Sequence, residues 1–133
     1  MLQYLSTVLS NKCPRCREGK LFTSKNAYDF KHNLTMNEHC PVCNQRTEIE
    51  VGFYYGTGYV SYALSVAFLV TSYVASAVLF NVSITTNSIF WWLGITCFLL
   101  LAIQPPMMRL SRSLWLSWFV KYDKNWKDNP LEK

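Results

Sequence analysis

Residues 51–108 include no Asp, Glu, Lys, Arg or His. Surface positions in a soluble domain recur every few residues and attract charge, so so long an uncharged stretch excludes an ordinary soluble fold. It also excludes a proton relay or ion path built from ionisable groups inside a membrane. The short connection at residues 81–87, NVSITTN, lacks Lys and Arg. Residues 1–10 lack the basic start of a secretory leader, and Leu2, Leu5, Val8 and Leu9 fit one face of a short helix better than a continuous apolar run. The first apolar helix is therefore expected to act as the insertion signal.

What the uncharged stretch does contain is two apolar segments. Residues 59–80, YVSYALSVAFLVTSYVASAVLF, have no Gly, Pro or charge. As a helix they measure roughly 33 Å, enough to cross a hydrocarbon core of about 30 Å. The second segment starts after Asn87, a good N-cap residue, and carries IFWWLGITCFLLLAI with Trp91 and Trp92 at one end. All thirteen Lys and Arg lie outside residues 51–108, seven before and six after. By the bias of cytoplasmic loops toward these residues, both termini are expected in the cytoplasm and the 81–87 connection outside. The formal net charge of +5 then reads as topology and contact with anionic head groups. Nucleic acid is the weaker reading, because Glu18, Asp29, Glu38, Glu48 and Glu50 interrupt the basic residues.

Four of the five cysteines form two pairs, Cys13-Pro-Arg-Cys16 and Cys40-Pro-Val-Cys43, with twenty-three residues between them. Pro14 and Pro41 each fix one backbone angle of a tight loop that aims two sulfurs at one point. Two such knuckles supply the four thiolates of a tetrahedral structural zinc site, closed to water and substrate. Redox pairs are the competing reading, and His39 is an alternative ligand beside Cys40. Short strands near Leu21-Phe22, at residues 28–30 and at residues 47–51 would complete a zinc ribbon. A head of about fifty residues with few aliphatics needs such a staple. Cys97, alone in the second apolar segment, reads as a packing residue.

Gly52, Gly56 and Gly58 punctuate the connector GFYYGTGY. It lacks the Lys-Ser/Thr of a phosphate loop and reads as a turn with aromatics at the membrane interface. In the first apolar helix Ser61, Ser65, Ser72, Ala75 and Ser76, with Tyr62 and Tyr73 nearby, form the face expected to pack on the second. Pro105 and Pro106 remove two backbone donors, so the second helix is expected to kink or stop there; a stop and restart is the favoured reading, and a kinked span running on to about Leu110 with Arg109 and Arg112 snorkelling at its end is the alternative. Beyond them an amphipathic helix is expected to lie flat in the interface, with Arg109, Arg112, Trp115 and Trp118 facing lipid or a partner. Glu48 and Glu50 are expected to be solvated, with contact to Arg109 or Arg112 as the alternative, and the tail from Asp123 is expected to fray.

With these residues in place, the chain resembles the bacterial family catalogued as domain of unknown function 983. The resemblance rests on the paired Cys-Pro-x-Cys knuckles, on Gly19-Lys20-Leu21-Phe22, on Gly-Phe-Tyr-Tyr-Gly before the first span, and on Pro105-Pro106 through Arg109 and Arg112. It implies a bacterial inner-membrane protein. An accessory or biogenesis role near haem–copper respiratory oxidases is implied only by gene neighbourhood. The residues show no Met-rich or His-rich copper site and no intramembrane His pair for haem.

The expected architecture is a multi-pass membrane protein with a cytoplasmic zinc ribbon of short β-strands, an α-helical hairpin and an interfacial helix. Its parts are a head at residues 1–50, a connector at 51–58, spans at 59–80 and 88–104 joined by 81–87, an interfacial helix at 105–122 and a polar tail at 123–133. The expected function is that of an adaptor or assembly factor, with structural zinc at Cys13, Cys16, Cys40 and Cys43 and no catalytic constellation. Its expected partners are the lipid bilayer and a larger membrane protein, with self-association left open. Two alternatives remain: an enzyme or transporter for lipid or a small molecule using the Gly/Tyr loop with Arg109 and Arg112, and a membrane-tethered nucleic-acid-binding ribbon.

Overall fold

Helices α1 (Leu2–Leu9), α2 (Thr57–Phe80) and α3 (Ser88–Phe119), with a single 3-10 turn at Phe53–Gly56 leading into α2, order the chain in the computed structural model, which describes residues 2–129 and 131. The long helices run antiparallel and touch from the turn before α2 to Tyr73. Gly56 lies against the Trp115 ring, Ser65 meets Met107 at 3.5 Å, and the Tyr73 and Trp92 rings meet edge to face at 5.3 Å. Both helices are long and apolar enough to cross a membrane, and little of either apolar stretch is buried within the protein. A helix from a soluble core would be covered instead. Here Val70, Val78, Phe80, Phe98 and Leu101 are all more than half exposed, an extensive apolar surface of the kind that marks membrane or protein contact.

The sequence of α2 explains how it meets α3. Its less exposed positions, Val60, Ser61, Leu64, Ser65, Phe68, Ser72, Tyr73 and Ser76, recur at three- and four-residue steps. Small hydroxylated residues on that stripe let the two helices approach closely, and Thr96 of α3 is buried. Ala75 and Tyr62, expected on the same face, point away from it. Asn81 ends α2 in a left-handed conformation, φ 56°, and its N–H bonds the Ser76 carbonyl. Asn87 precedes α3 as expected, but its side chain makes no capping bond.

The expected stop at Pro105 and Pro106 does not occur: α3 runs unbroken for 32 residues with both prolines inside it. A proline costs the hydrogen bond to the carbonyl four residues back, so Pro105 and Pro106 free the oxygens of Leu101 and Ala102. The Tyr28 hydroxyl of the head donates to the Ala102 oxygen at 3.0 Å. One of the two freed acceptors is thereby satisfied, which is how such helices tolerate proline within a packed bundle. Pro105 is itself buried.

The head also departs from the expected ribbon. Among the described residues there is no extended strand; Lys12 with Lys20, Phe22 with Met36, and His39 with Arg46 form isolated antiparallel bridges. Residues 23–35 carry no alternating apolar pattern to sustain a ladder, and they are used to grip α3 instead. Leu21 and Leu116, both fully buried, share one core with Phe22, Val120 and the four knuckle cysteines. The end of α3 is therefore part of the head.

Helix α1 braces the same end. Tyr4 and Ser117 hydroxyls lie 2.7 Å apart, and Ser113 donates to the Asn11 side chain at 2.8 Å. Val8 is buried while Leu2, Leu5 and Leu9 stay exposed, which divides the single face expected from spacing. The tail, expected to fray, is tied down in its described part. Arg15 donates to the Asn129 carbonyl at 2.7 Å and pairs with Asp123 at 3.3 Å.

Candidate metal centre

Each knuckle is a short loop with one repeated backbone solution. The N–H of Arg17 bonds the Cys13 carbonyl at 2.8 Å, and that of Asn44 bonds the Cys40 carbonyl at 3.0 Å. Arg17 and Asn44, each one residue past the second cysteine, both adopt positive φ, at 62° and 57°. The isolated bridges Lys12–Lys20 and His39–Arg46 close the two loops at their bases. The Gly19 N–H reaches the Cys16 sulfur at 3.4 Å, an outer contact of the kind that orients a metal ligand.

The four sulfurs lie within 4.8 Å of one another, and all four cysteines are buried. A tetrahedral ion with metal–sulfur bonds of about 2.3 Å sets its sulfurs about 3.8 Å apart. The Cys13–Cys43 and Cys16–Cys40 sulfur pairs are each 3.7 Å apart, and the cysteines are free thiols. The donor set therefore fits a tetrahedral cation. Electrostatics point the same way, since neighbouring thiols cannot all ionise without one. Contact with the Cys13 thiol holds Cys40 down at about 5. The contact with Cys40 and burial together push Cys13 far above the ordinary thiol range. Burial also pushes Cys43 up to about 11. Four protein ligands leave no open position, so the arrangement can hold a fold together but offers no site for a reacting molecule.

Gly19 is a residue that the motif alone does not reveal. A Cβ there would collide with the Cys40 sulfur and press on Val42, so the second knuckle can close over the first only because Gly19 has no side chain. Neither histidine joins the cluster. His39 lies in the bridge beside Cys40, and His32 pairs with Asp29 at 3.3 Å on the surface.

Three of the four residues expected to face lipid or a partner, Arg109, Arg112 and Trp115, also make contacts within the protein. Arg109 is only 4% exposed and grips the head loop. Its Nε–H bonds the Asn33 backbone and side-chain oxygens, both at 2.8 Å, and its terminal nitrogens reach the carbonyls of Ser24 at 3.0 Å and Asn26 at 2.6 Å. Its guanidinium also lies over the Phe22 ring. Arg112 donates to the Leu34 carbonyl at 2.8 Å and covers the Tyr54 ring. Neither arginine forms an ion pair with Glu48 or Glu50. Trp115 donates to the Phe53 carbonyl at 2.9 Å and stacks among Phe53, Trp118 and Phe119; Trp118 remains exposed. In the connector, Gly52 adopts φ 79°, Gly56 leaves room for the Trp115 ring, and Gly58 faces open space.

Signals for these contacts were sparse in the chain itself. Positively charged residues just after an apolar span have an interfacial role by default, and only the fold shows that a loop eighty residues earlier in sequence supplies their acceptors. The model of a family described as "Protein of unknown function (DUF983)" matches residues 30–118, which include the second knuckle, both long helices and both arginines but not Cys13 and Cys16. No curated protein and no solved structure matches the chain.

Proposed function

The chain belongs to the DUF983 family, and from that premise we propose that it is a membrane adaptor whose zinc-held head offers a rigid contact surface to a larger membrane complex. The observation that carries this reading is the double use of α3. One uninterrupted helix supplies an apolar stretch long enough to span a bilayer and, through Leu116 and with Val120 just past its end, part of the core around the four cysteines. A surface built on that end holds a fixed attitude to the helices, which is what an adaptor requires and a flexibly tethered head lacks.

Zinc is favoured for the site because four buried thiolates in a closed tetrahedral set match structural zinc chemistry. The segregation of Lys and Arg to the two ends supports a bacterial inner-membrane hairpin with both termini in the cytoplasm. A haem–copper oxidase assembly complex is the first partner to seek, on the gene-neighbourhood association alone. Pull-down of the full chain from native membranes, followed by mass spectrometry and metal analysis, tests the reading. A stoichiometric membrane-protein partner should accompany wild type and be lost with Cys13→Ser while that variant still inserts. A wild-type chain recovered without a partner would overturn the adaptor role.

A further inference from the structure

A groove of about 420 Å³ opens between the start of α2 and the middle of α3, lined among others by Gly58, Ser61, Tyr62, Gln104, Met108 and Arg112. Its volume lies within the range of ligand pockets. It sits where the uncharged part of the chain ends, since Glu50 is the last charged residue before that part and Arg109 the first after it.

We propose that this groove binds the head group of an anionic phospholipid, with Arg112 contacting the phosphate and Ser61 and Gln104 as polar partners. Arg112 is half-buried and has no carboxylate within ion-pair distance; its one hydrogen bond among the described residues goes to the Leu34 carbonyl. Its guanidinium lies over the Tyr54 ring, which leaves N–H groups at its edge for a ligand, and a guanidinium matches phosphate oxygens two at a time. The side chains of Ser61, Tyr62 and Gln104 have no hydrogen-bond partner among the described residues. No acidic residue lines the groove. A larger cleft of about 980 Å³, which Arg112 also lines, is bordered by Glu38, Glu48 and Glu50 and would repel an anion. Met108 and Leu34 give the groove apolar walls, and the exposed faces of α2 and α3 continue from it for the acyl chains. Arg109 takes no part, because its donors are committed to the head loop.

The test is native mass spectrometry of the full-length protein in detergent, delipidated and then offered phosphatidylglycerol or phosphatidylcholine. Wild type should retain one phosphatidylglycerol and hold phosphatidylcholine at least tenfold more weakly. Arg112→Gln should lose at least tenfold. Because Arg112 also bonds the head, Gly58→Leu provides a separate check: Gly58 lines the groove and a Cβ there meets nothing within 4 Å, so a side chain can start from this position without a backbone clash. It should lose phosphatidylglycerol to the same extent at unchanged metal content. Equal retention of the two lipids, or wild-type binding by Gly58→Leu, would overturn the proposal. Displacement of the lipid by millimolar inorganic phosphate would also overturn it, in favour of a site for the free anion.

Discussion

Arg109 and Gly19 carry more of this molecule than their positions in the sequence announce. Arg109 places a guanidinium against backbone carbonyls of Ser24, Asn26 and Asn33, so one side chain pins a loop that has no secondary structure to hold it. Lysine keeps the charge but not the planar fork, and each charge-assisted bond is worth about 1.5–3 kcal/mol. Arg109→Lys should therefore destabilise the head by at least about 2 kcal/mol, seen as faster amide exchange across residues 24–35 with the helix pair unaffected. Gly19→Ala places a methyl where the Cys40 sulfur sits, so metal content should fall well below one per chain by elemental analysis although all four ligands remain. The cysteines themselves were legible in the sequence, because the geometry of a knuckle is set within four residues. Gly19 and Arg109 were not, because what they touch comes from Cys40 and from the loop at residues 24–33, which only folding brings near.

Among the elements, α3 is where local rule and tertiary structure part. Two adjacent prolines ordinarily end a helix, and on that rule residues 105–122 become a separate helix lying in the interface. Two features oppose it. Tyr28 occupies an acceptor that Pro106 frees, and the beginning of α2 packs beside Trp115, ten residues beyond Pro105. A helix that stays paired with α2 that far does not turn aside at the prolines. Apolar length and the absence of charge made both long helices readable from the chain, whereas the partner for a freed carbonyl was not, since a lone exposed tyrosine in a polar loop resembles any other. The depth of spin labels in bilayers separates the two arrangements. Labels placed from Met107 to Phe119 should report a steady change in depth, up to about 18 Å over twelve residues at a rise of 1.5 Å each. An oscillation about one shallow depth would restore the flat helix.

At the scale of the whole molecule, the head cannot be cut from the hairpin at residue 50. Leu116 and Val120 sit in the same buried cluster as the four cysteines, Arg15 of the first knuckle binds the described tail through Asp123 and Asn129, and α1 lies against the end of α3. Composition gave no hint of this, because a polar head, an apolar pair and a polar tail separate cleanly along the chain while their contacts cross it. The basic residues follow the same logic: Arg15 and Arg109 are buried in internal contacts, which removes them from any surface that nucleic acid would use. Metal binding energy is folding energy wherever the site does not pre-exist in the unfolded chain. Withdrawing an ion held there would leave four buried thiols with opposed demands on their protons, and the core they share with α3 would lose its centre. Chelation of the purified full chain should therefore raise amide exchange at residues 13–47, at residues 113–120 and through the tail to residue 129, in one cooperative step. Residues 60–80 should keep their protection, since the α2–α3 contact uses none of the cysteines. If the head alone loosened and residues 113–129 stayed protected, α3 would be a passive anchor, and the mechanical link between the metal site and the long apolar helices would not exist.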